Sequence, residues 1–373
     1  MSLIQKISST LGISGFKSRI QGWVFKKKLL KFSGRFRWEP EACFYCPEMC
    51  RFACPVAETL RDNTVTPRGK MSLLHLAERG FTPESVAGGP AQRLWFLEQC
   101  TGCGRCTEFC VHENDVATQL RQARAEHFSR ESVRLSPAGS LTEQVDAREV
   151  GRSLEALRAL EGVVVLCEPG RREWWLARPK LLEELGATSV CEAWLPHREW
   201  SWGKLSELRI DEIGDALSDC TQLWVESPDA AWFLAKAVKE EREALGAEVR
   251  LVWQRFFAEM AARELPLGTS FHESYFLSRL FPRLGYSVPM YERGLLPFHS
   301  GWNVHDCGGE GHYRLAHPGN ARAIGERFLA DLVKDGRALD KIVCQSWSCM
   351  EHLRGISEAK VVYWLDELFD GAR

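Results

Sequence analysis

The sequence CTGCGRCTEFC, at Cys100 to Cys110, spaces four cysteines in the pattern CxxCxxCxxxC. Three thiolates at intervals of three residues can surround one face of an iron-sulfur cubane, and the fourth cysteine of such a run characteristically ligates another cluster. The spacing therefore indicates a domain that binds two [4Fe-4S] clusters.

A second run of cysteines lies upstream, in CFYCPEMCRFACP at Cys43 to Pro55. One of its intervals is a residue longer than usual, but the final Cys-Pro fits because proline ends the loop after the fourth ligand. If each run lends its fourth cysteine to the other, every cluster has four ligands. The predicted ligands are Cys43, Cys46, Cys50 and Cys110 for cluster 1, and Cys54, Cys100, Cys103 and Cys106 for cluster 2.

Structural zinc is the alternative use of these cysteines, because paired CxxC elements also bind zinc. Zinc sites use two widely separated pairs, whereas this chain has two runs of four cysteines with two or three residues in each interval. The pattern therefore favours cubanes. An ultraviolet-visible spectrum distinguishes the two, since zinc protein is colourless and cluster protein is brown.

The chain of 373 residues has the composition of an ordinary globular protein, with 45% hydrophobic and 26% charged residues. Its length predicts two or three domains. Its net charge of −2 argues against a general affinity for nucleic acid. The first residues lack the apolar segment of a secretory signal, and no stretch approaches the length of a membrane span. We therefore expect a cytoplasmic protein whose fourteen cysteines remain free to bind metal.

Residues 1–38 carry nine Lys or Arg and no acidic residue. Apolar residues recur at helical spacing within them, at Ile4, Ile7, Leu11, Phe16, Ile20 and Trp23. This pattern predicts a basic amphipathic N-terminal arm. Such an arm could rest on an anionic membrane surface, which would place the protein on the inner face of the membrane, or dock to a partner subunit, or remain a solvated extension.

Helix and strand signals divide the rest of the chain. Residues 39–125 hold both cysteine runs, with helices predicted over Lys70 to Arg79 and Ala91 to Gln99. Residues 126–160 read as a polar linker. From residue 161 onward, short apolar runs alternate with helical patterns, which predicts parallel α/β sheets. The predicted strands are VVVL at 163–166, LWV at 223–225, VRLVW at 249–253, KIVC at 341–344 and VVYWL at 361–365.

Both cysteine runs, with TPRGKMSLLHL at Thr66 to Leu76 between them, resemble the iron-sulfur subunit of glycolate oxidase and its heterodisulfide-reductase-like relatives, the CCG-domain proteins. The resemblance implies an α+β multidomain fold, in which an α-helical two-cluster ferredoxin domain is followed by two α/β repeats. Residues 161–268 and 269–373 correspond to these repeats. It also implies that electrons pass from a flavoprotein subunit to a quinone or another acceptor.

Full members of this family carry further cysteines in the repeats, which hold a catalytic iron-sulfur centre. In the second repeat here, FHESYFLSR at 271–279 has Tyr275 where the family has cysteine. HDCGGEG at 305–311 keeps Cys307 but has Asp306 in place of the first cysteine of the CCG element. In VCQSWSC at 343–349, the CxxC positions fall on Ser346 and Cys349, with Cys344 extra. Too few thiolates remain for the family's catalytic cluster.

The first repeat keeps still less of the family pattern. Cys167 follows its first predicted strand, but SPDAAW at Ser227 to Trp232 occupies the place of its CxxC element. The resemblance therefore implies that disulfide reduction within this chain is lost.

Cys307 and Cys349 still lie among side chains that could bind metal, namely His272, His299, His305, Asp306, His312 and His317. Such ligands suit zinc or iron. The alternative, which the loss of cysteines favours, is a decayed site whose buried thiols and hydrogen-bonded histidines pack the core.

The eight N-terminal cysteines favour electron transfer, because a cubane with four cysteine ligands has no open coordination position for a substrate. We therefore predict a non-catalytic electron-transfer subunit of an oxidoreductase complex, with a flavoprotein dehydrogenase or another redox subunit as partner. Two alternatives stay open. One is a metal-dependent redox enzyme that uses the remnant around Cys307 and Cys349, and the other is a redox-sensing cluster protein.

Overall fold

The structure, a computed structural model of the chain, divides into two compact units. The described residues are 43, 46, 48–78, 95–110, 114–130, 147–192, 195, 210–240, 243–263, 265–275, 306–311, 313–333, 336 and 338–370. Unit 1 comprises those up to Cys100 together with Gly104–Ala123, and unit 2 comprises Thr101–Cys103 and those from Arg124 onward. The predicted basic arm at residues 1–38 lies outside the described residues.

Short helices make up the described part of unit 1. They are α1 (Pro55–Leu60), α2 (Pro67–Glu78), α3 (Trp95–Glu98), α4 (Arg105–Glu108) and the start of α5 (Val116–Arg130), with 3₁₀ turns at Met49–Ala53 and Asn63–Val65. Proline opens α1 and α2, where its fixed φ suits the first helical turn and its missing N–H costs nothing. Helix α2 confirms the helix predicted over residues 70–79.

A small apolar core joins these helices. Met71 and Leu74 of α2 pack with Phe96 and Leu97 of α3, and α5 adds three further apolar side chains to the same core. The thiols of Cys43, Cys50 and Cys106 border this core. The helices therefore exclude water from one side of the predicted cluster ligands.

Gly69 lets α2 start directly against the preceding turn. A Cβ at this position would overlap the carbonyl oxygen of Asn63 and lie 2.8 Å from that of Thr64. We expect Gly69→Ala to destabilise unit 1 by about 1–3 kcal/mol, because backbone atoms would have to shift. Urea unfolding followed by visible cluster absorbance measures this change.

The matched control for this prediction is Gly319→Ala, in a helix of unit 2 where an added Cβ would meet no atom within 4 Å. We expect the control to change stability by at most about 0.5 kcal/mol. Equal midpoints for the two variants would show that the turn before α2 is not packed as described.

Two parallel sheets form the centre of unit 2. The first has strands β1 (Gly162–Leu166), β2 (Ser189–Cys191), β3 (Cys220–Val225) and β4 (Glu248–Leu251), in the order β2-β1-β3-β4. The second has β5 (Thr269–His272), β6 (Lys341–Cys344) and β7 (Lys360–Tyr363), in the order β5-β6-β7. All paired strands run parallel, as the alternation of apolar runs with helical patterns predicted.

Helices connect and cover these strands. Around the first sheet they are α6 (Ala147–Arg158), α7 (Arg172–Leu176), α8 (Pro179–Leu185), α9 (Ile210–Ala216), α10 (Pro228–Phe233) and α11 (Val252–Ala262), with a π-helical segment at Leu234–Glu240. Around the second they are α12 (Tyr313–Ala316), α13 (Pro318–Val333), α14 (Trp347–Arg354) and α15 (Trp364–Phe369). Among the described residues, no helix is long and apolar enough to cross a membrane.

Both sheets share one hydrophobic core. Trp253, at the start of α11, lies edge-on to Trp364 of α15 with ring centroids 4.8 Å apart, and 5.5 Å from the ring of Phe271 in β5. Both tryptophans are fully buried. Since burying an aromatic side chain contributes several kilocalories per mole, these contacts hold the two sheets as one unit.

A buried ion pair also joins the two halves of unit 2. The Nε of Arg171, just before α7, lies 2.9 Å from Glu226 Oε1, which follows β3. The Nη1 of Arg171 lies 2.6 Å from Asp366 Oδ1 in α15. Arg171 and Glu226 are both almost fully buried. The guanidinium therefore bridges the helix after β1 and the helix after β7.

The structure differs from the sequence predictions at two kinds of boundary. The predicted strands at 249–253 and 361–365 end early, because Val252 and Trp364 already begin helices α11 and α15. Helix α6 lies inside the predicted linker, and its Leu154 and Leu157 are buried in the core of unit 2. The runs at 249–253 and 361–365 remain apolar to their ends, because the first helical turn after each strand is buried as deeply as the strand itself.

Candidate iron-sulfur and metal sites

The cysteines of the first run lie in and next to short helical elements of unit 1. Cys50 sits in the 3₁₀ turn at Met49–Ala53, and Cys54 is the residue immediately before α1. Cys43, Cys50 and Cys54 are buried, whereas Cys46 is partly exposed. Pro55 begins α1 directly after Cys54, so the chain turns away after the fourth cysteine as the Cys-Pro pair predicted.

The four cysteines predicted for cluster 1 are neighbours in unit 1. Burial is the main reason that the pKa of Cys43 rises to about 12, and the thiols of Cys110, Cys50 and Cys46 add to the rise. Burial likewise raises the pKa of Cys50 to about 12, with Cys46 and Cys110 contributing. Four neighbouring thiolates, two of them buried, repel one another unless a cation lies among them, so the arrangement fits a positively charged iron core.

Asn114 was not found by the sequence reasoning, although it contacts two of these thiols. Its Nδ2 lies 3.1 Å from Cys43 Sγ, and its backbone N lies 3.3 Å from Cys110 Sγ. Gln119 Nε2 donates to Asn114 Oδ1 at 2.7 Å and so fixes the amide with its NH₂ toward sulfur. The one feature of the sequence that points to Asn114 is its position four residues after Cys110.

A backbone donor reaches the same group of thiols. The N–H of Arg68, in the first turn of α2, donates to the Cys50 thiolate and lowers its pKa against the larger effect of burial. Hydrogen bonds to sulfur are one of the means by which a protein tunes a cluster potential. The start of α2, where Gly69 allows close contact with the preceding turn, therefore also contributes a hydrogen bond to the predicted site.

The second cysteine run depends on glycine. Gly102 and Gly104, on either side of Cys103, have φ of 81° and 74°, a region that residues with a Cβ rarely adopt. Cys106 is buried in α4, and Cys100, Cys103 and Cys110 are partly exposed. Cys103 belongs to unit 2, and Cys54, Cys100 and Cys106 belong to unit 1. The ligand set of cluster 2 therefore stays a prediction.

Comparison with known families addresses the cysteine-rich region directly. A family model described as a 4Fe-4S dicluster domain matches residues 39–114, which include all eight predicted ligands. The chain is an iron-sulfur protein. The match supports 4Fe-4S clusters, and it indicates electron transfer by iron-sulfur centres as the role of this region.

No curated protein and no solved structure matches the chain. The family match ends at residue 114, so it covers neither of the two sheets. The glycolate oxidase and CCG-domain resemblance of unit 2 therefore stays a proposal.

Replacing Asn114 by leucine in this iron-sulfur protein is expected to lower the midpoint potential of one cluster. The substitution keeps the bulk of the side chain but removes the donor to Cys43, and fewer donors leave more negative charge on sulfur. An anaerobic redox titration followed by electron paramagnetic resonance measures the shift. Thr107→Ala is the control, because that hydroxyl donates to Asp115 rather than to a thiol. Equal shifts in both variants would contradict a role for Asn114.

A second group of possible ligands lies in unit 2, at the remnant predicted around Cys307 and Cys349. The ligand atoms of His272, Cys307 and Cys349 all lie within 4.8 Å of one another, and the three residues are buried. The two Sγ atoms are 3.3 Å apart. The predicted neighbours His299, His305 and His312 lie outside the described residues.

Asp306 and His317 are described but do not belong to this group. Asp306 accepts a hydrogen bond from the Gly308 N–H at 2.8 Å, and burial raises the pKa of its carboxyl to about 6. The His317 ring packs against Tyr313, with ring centroids 5.0 Å apart. Of the three candidates that lie within the described residues, His272, Asp306 and His317, the structure groups His272 with the two cysteines.

Electrostatics couple the three residues of the group. Burial opposes ionisation of Cys307, but a hydrogen bond from the Cys349 thiol and the nearby His272 outweigh it and bring the pKa of Cys307 well below its usual value. Burial raises the pKa of Cys349. Burial also disfavours the charged imidazole of His272, yet the Cys307 thiolate raises the pKa of that imidazole. Cys307 is therefore the thiolate of the pair.

The residues that the resemblance aligns with family cysteines make packing contacts and hydrogen bonds in the structure. The hydroxyl of Tyr275 donates to the Thr101 carbonyl oxygen at 3.3 Å, and its backbone N–H donates to Glu310 at 3.0 Å. Ser346 precedes α14, and its hydroxyl lies 3.0 Å from that of Ser348. Buried Cys344 ends β6, where burial raises its pKa well above the usual value.

The corresponding end of the first sheet carries an ion pair instead. Cys167 lies 3.4 Å from the Cys191 carbonyl oxygen, and burial raises its pKa. Ser227 precedes α10 and hydrogen-bonds Asp229, where the resemblance placed the lost CxxC element. Glu226 accepts from Arg171, Trp175 and the Glu168 N–H. This edge is therefore occupied by packed groups that are joined by an ion pair and hydrogen bonds.

Proposed function

We propose that the protein is an electron-transfer subunit of an oxidoreductase complex and relays single electrons through two [4Fe-4S] clusters. The observation that carries the proposal is the grouping of Cys110 with Cys43, Cys46 and Cys50. Cys43 and Cys110 are 67 positions apart in sequence, and their proximity is what an exchange of ligands between the two runs requires. The match of residues 39–114 to a 4Fe-4S dicluster domain supports iron-sulfur clusters in this region.

The ligand sets follow from this exchange. Cys43, Cys46, Cys50 and Cys110 hold cluster 1, and Cys54, Cys100, Cys103 and Cys106 hold cluster 2. When bound, each cluster supplies one-electron redox chemistry. All four thiolates of each set are taken up as ligands, so the set offers no position where a substrate could coordinate.

The surrounding residues tune and shield these thiolates. The side-chain amide of Asn114 and the Arg68 N–H donate to sulfurs of cluster 1 and so place partial positive charge next to them. The apolar side chains of α2, α3 and α5 exclude water from one side. Both effects set the ease with which an added electron is accommodated.

The partner and acceptor are proposed from the family resemblance. A flavoprotein dehydrogenase or another redox subunit delivers the electrons, and a quinone or a further redox subunit receives them. Two parallel sheets in unit 2 support the proposal of two α/β repeats, which would serve as the docking platform. The basic arm at residues 1–38 is the proposed contact with a partner or with the inner face of the membrane.

The test is made with the full chain purified and loaded anaerobically. We expect chemically reduced protein to be reoxidised by a soluble quinone, and we expect no turnover of a hydroxy acid or a disulfide by the chain alone. If the isolated, fully loaded chain oxidises a hydroxy acid or reduces a disulfide, the chemistry lies in this subunit and the proposal is wrong.

A further inference from the structure

The carboxyl end of the second sheet brings together side chains that the electron-transfer role does not use. His272 is the last residue of β5, and Cys349 lies in the first turn of α14 after β6. Cys307 lies between them in sequence, in the described segment 306–311. We infer that His272, Cys307 and Cys349 bind one zinc ion, at a site separate from the eight cysteines of the dicluster region. This inference does not depend on the proposed function.

The spacing of the ligand atoms suits one small cation. All three atoms lie within 4.8 Å of one another, and the two sulfurs are 3.3 Å apart. A tetrahedral zinc ion with Zn–S bonds of about 2.3 Å holds its two sulfurs ~3.8 Å apart. An increase of about half an ångström in the distance between the two sulfurs therefore gives the S···S spacing of a zinc site.

The imidazole supplies an independent observation that points to a ligand. His272 is 4% exposed, and its Nε2 has no hydrogen-bond partner among the described residues. A buried polar nitrogen without a partner is costly, and native proteins rarely leave one. The ring of Phe328, with its centroid 4.6 Å away, fixes the orientation of the imidazole. Coordination of a metal would satisfy this nitrogen, for which the described residues offer no hydrogen-bond partner.

The loop that carries Cys307 is shaped to support a thiolate ligand. The Gly309 N–H lies 3.4 Å from Cys307 Sγ, and N–H donors of this kind stabilise metal-bound sulfur. A Cβ at Gly309 would lie 2.8 Å from His352 Cβ and 3.2 Å from Cys307 Sγ. Gly308 adopts φ of 78°, where its missing side chain avoids the Ala321 carbonyl. Both glycines are needed for the thiol to face Cys349.

The position in the fold is also one where ligands bind. In parallel α/β sheets, binding sites lie outside the carboxyl ends of the strands. His272 stands opposite Cys344 in the pairing of β5 with β6, so Cys349 follows within one turn of the same edge. Two of the three side chains, His272 and Cys349, are therefore placed by a strand end and by the helix that follows the neighbouring strand.

The donor set selects the metal. Two thiolates and an imidazole are soft or borderline ligands, which zinc accepts and which calcium and magnesium do not prefer. Two thiolates are too few for a cubane. Three protein ligands leave the fourth position for a water molecule, as in zinc sites that act on a bound ligand.

Zinc analysis of the full chain tests the inference. Protein is produced with iron and zinc, loaded anaerobically and measured by elemental analysis and by X-ray absorption at the zinc edge. We expect about one zinc per chain, with two sulfur ligands at about 2.3 Å and nitrogen or oxygen ligands at about 2.0–2.1 Å. Iron content, read in the same samples, reports separately on the dicluster region.

Variants then identify the ligands. His272→Ala and Cys349→Ala are expected to lower zinc at least tenfold while iron stays unchanged. Cys344→Ala, a buried thiol on the same sheet edge, is expected to retain zinc. The X-ray absorption spectrum of the unaltered chain reports on the zinc ligands directly. The test therefore stands even if a variant fails to fold.

Several results would overturn the site. These are absence of stoichiometric zinc, a zinc environment of four sulfurs, zinc retained in both ligand variants, or zinc lost in Cys344→Ala. A disulfide between Cys307 and Cys349 in anaerobically purified protein would also overturn it. Iron or copper bound with the same dependence on His272 and Cys349 would overturn the assignment to zinc.

Discussion

Replacing Cys43 and Cys110 together by alanine is expected to leave one [4Fe-4S] cluster, whereas replacing Cys43 and Cys54 together is expected to remove both. The first pair belongs to one ligand set, so the other set keeps its four cysteines. The second pair takes one ligand from each set. Both double variants lose Cys43 and one further predicted ligand, and each is therefore the other's control for general damage to the fold.

The physical basis is the exchange of the last cysteine between the two runs. Cys43 and Cys110 both contact Asn114, through its side chain and its backbone N–H, and the charge of either thiolate acts on the other. Each four-iron cluster is held by four cysteine thiolates, so we expect a set that lacks one of them to lose its cluster.

Iron and sulfide analysis with visible absorbance measures the outcome. We expect about four iron atoms per chain in Cys43→Ala/Cys110→Ala and close to none in Cys43→Ala/Cys54→Ala. The opposite result would show that each run keeps its own fourth cysteine. Ligand exchange would then be wrong, although the clusters themselves would stand.

Replacing Arg171 by methionine is expected to destabilise unit 2 by about 3–5 kcal/mol, because it strands the buried carboxylate of Glu226. The methionine side chain fills much of the same space, so the loss is electrostatic rather than a cavity effect. Burial already raises the pKa of Glu226, and the guanidinium of Arg171 opposes that rise. Removal of the guanidinium also breaks the link to Asp366.

Two comparison variants make this result specific. Arg172→Met changes the next residue, which is 51% exposed and pairs with exposed Glu173, and should cost at most about 1 kcal/mol. Arg171→Met/Glu226→Leu removes both charges and should recover most of the loss. Urea unfolding followed by tryptophan fluorescence measures all three. A loss below about 1 kcal/mol in Arg171→Met would contradict the bridging role of the pair.

Much of the fold could be predicted because its signals are local. Apolar runs such as 341–344 predicted strands such as β6, and their alternation with helical patterns predicted parallel pairing. The strand ends at 251 and 363 could not be located. Val252 and Trp364 are as apolar as the strands before them, so composition does not show where extended backbone becomes helix.

The candidate sites were predictable in the same uneven way. Fixed cysteine spacing indicated the clusters, because each ligand is close in sequence to the next. Asn114 and the Arg68 N–H act through folded contacts that leave no pattern in the sequence. The loss of family cysteines favoured a decayed site around Cys307. The structure instead brings His272 to Cys307 and Cys349 from a strand 35 residues before Cys307, a proximity that only tertiary folding creates.

We propose that this chain holds two cubane clusters that exchange single electrons. Iron and sulfide analysis combined with electron paramagnetic resonance of the anaerobically loaded, reduced chain tests it most directly. We predict about eight iron and about eight sulfide per chain, with the signals of two magnetically interacting reduced [4Fe-4S] clusters. A colourless protein with zinc at the eight N-terminal cysteines, or one that retains a single cluster with all eight present, would contradict the account.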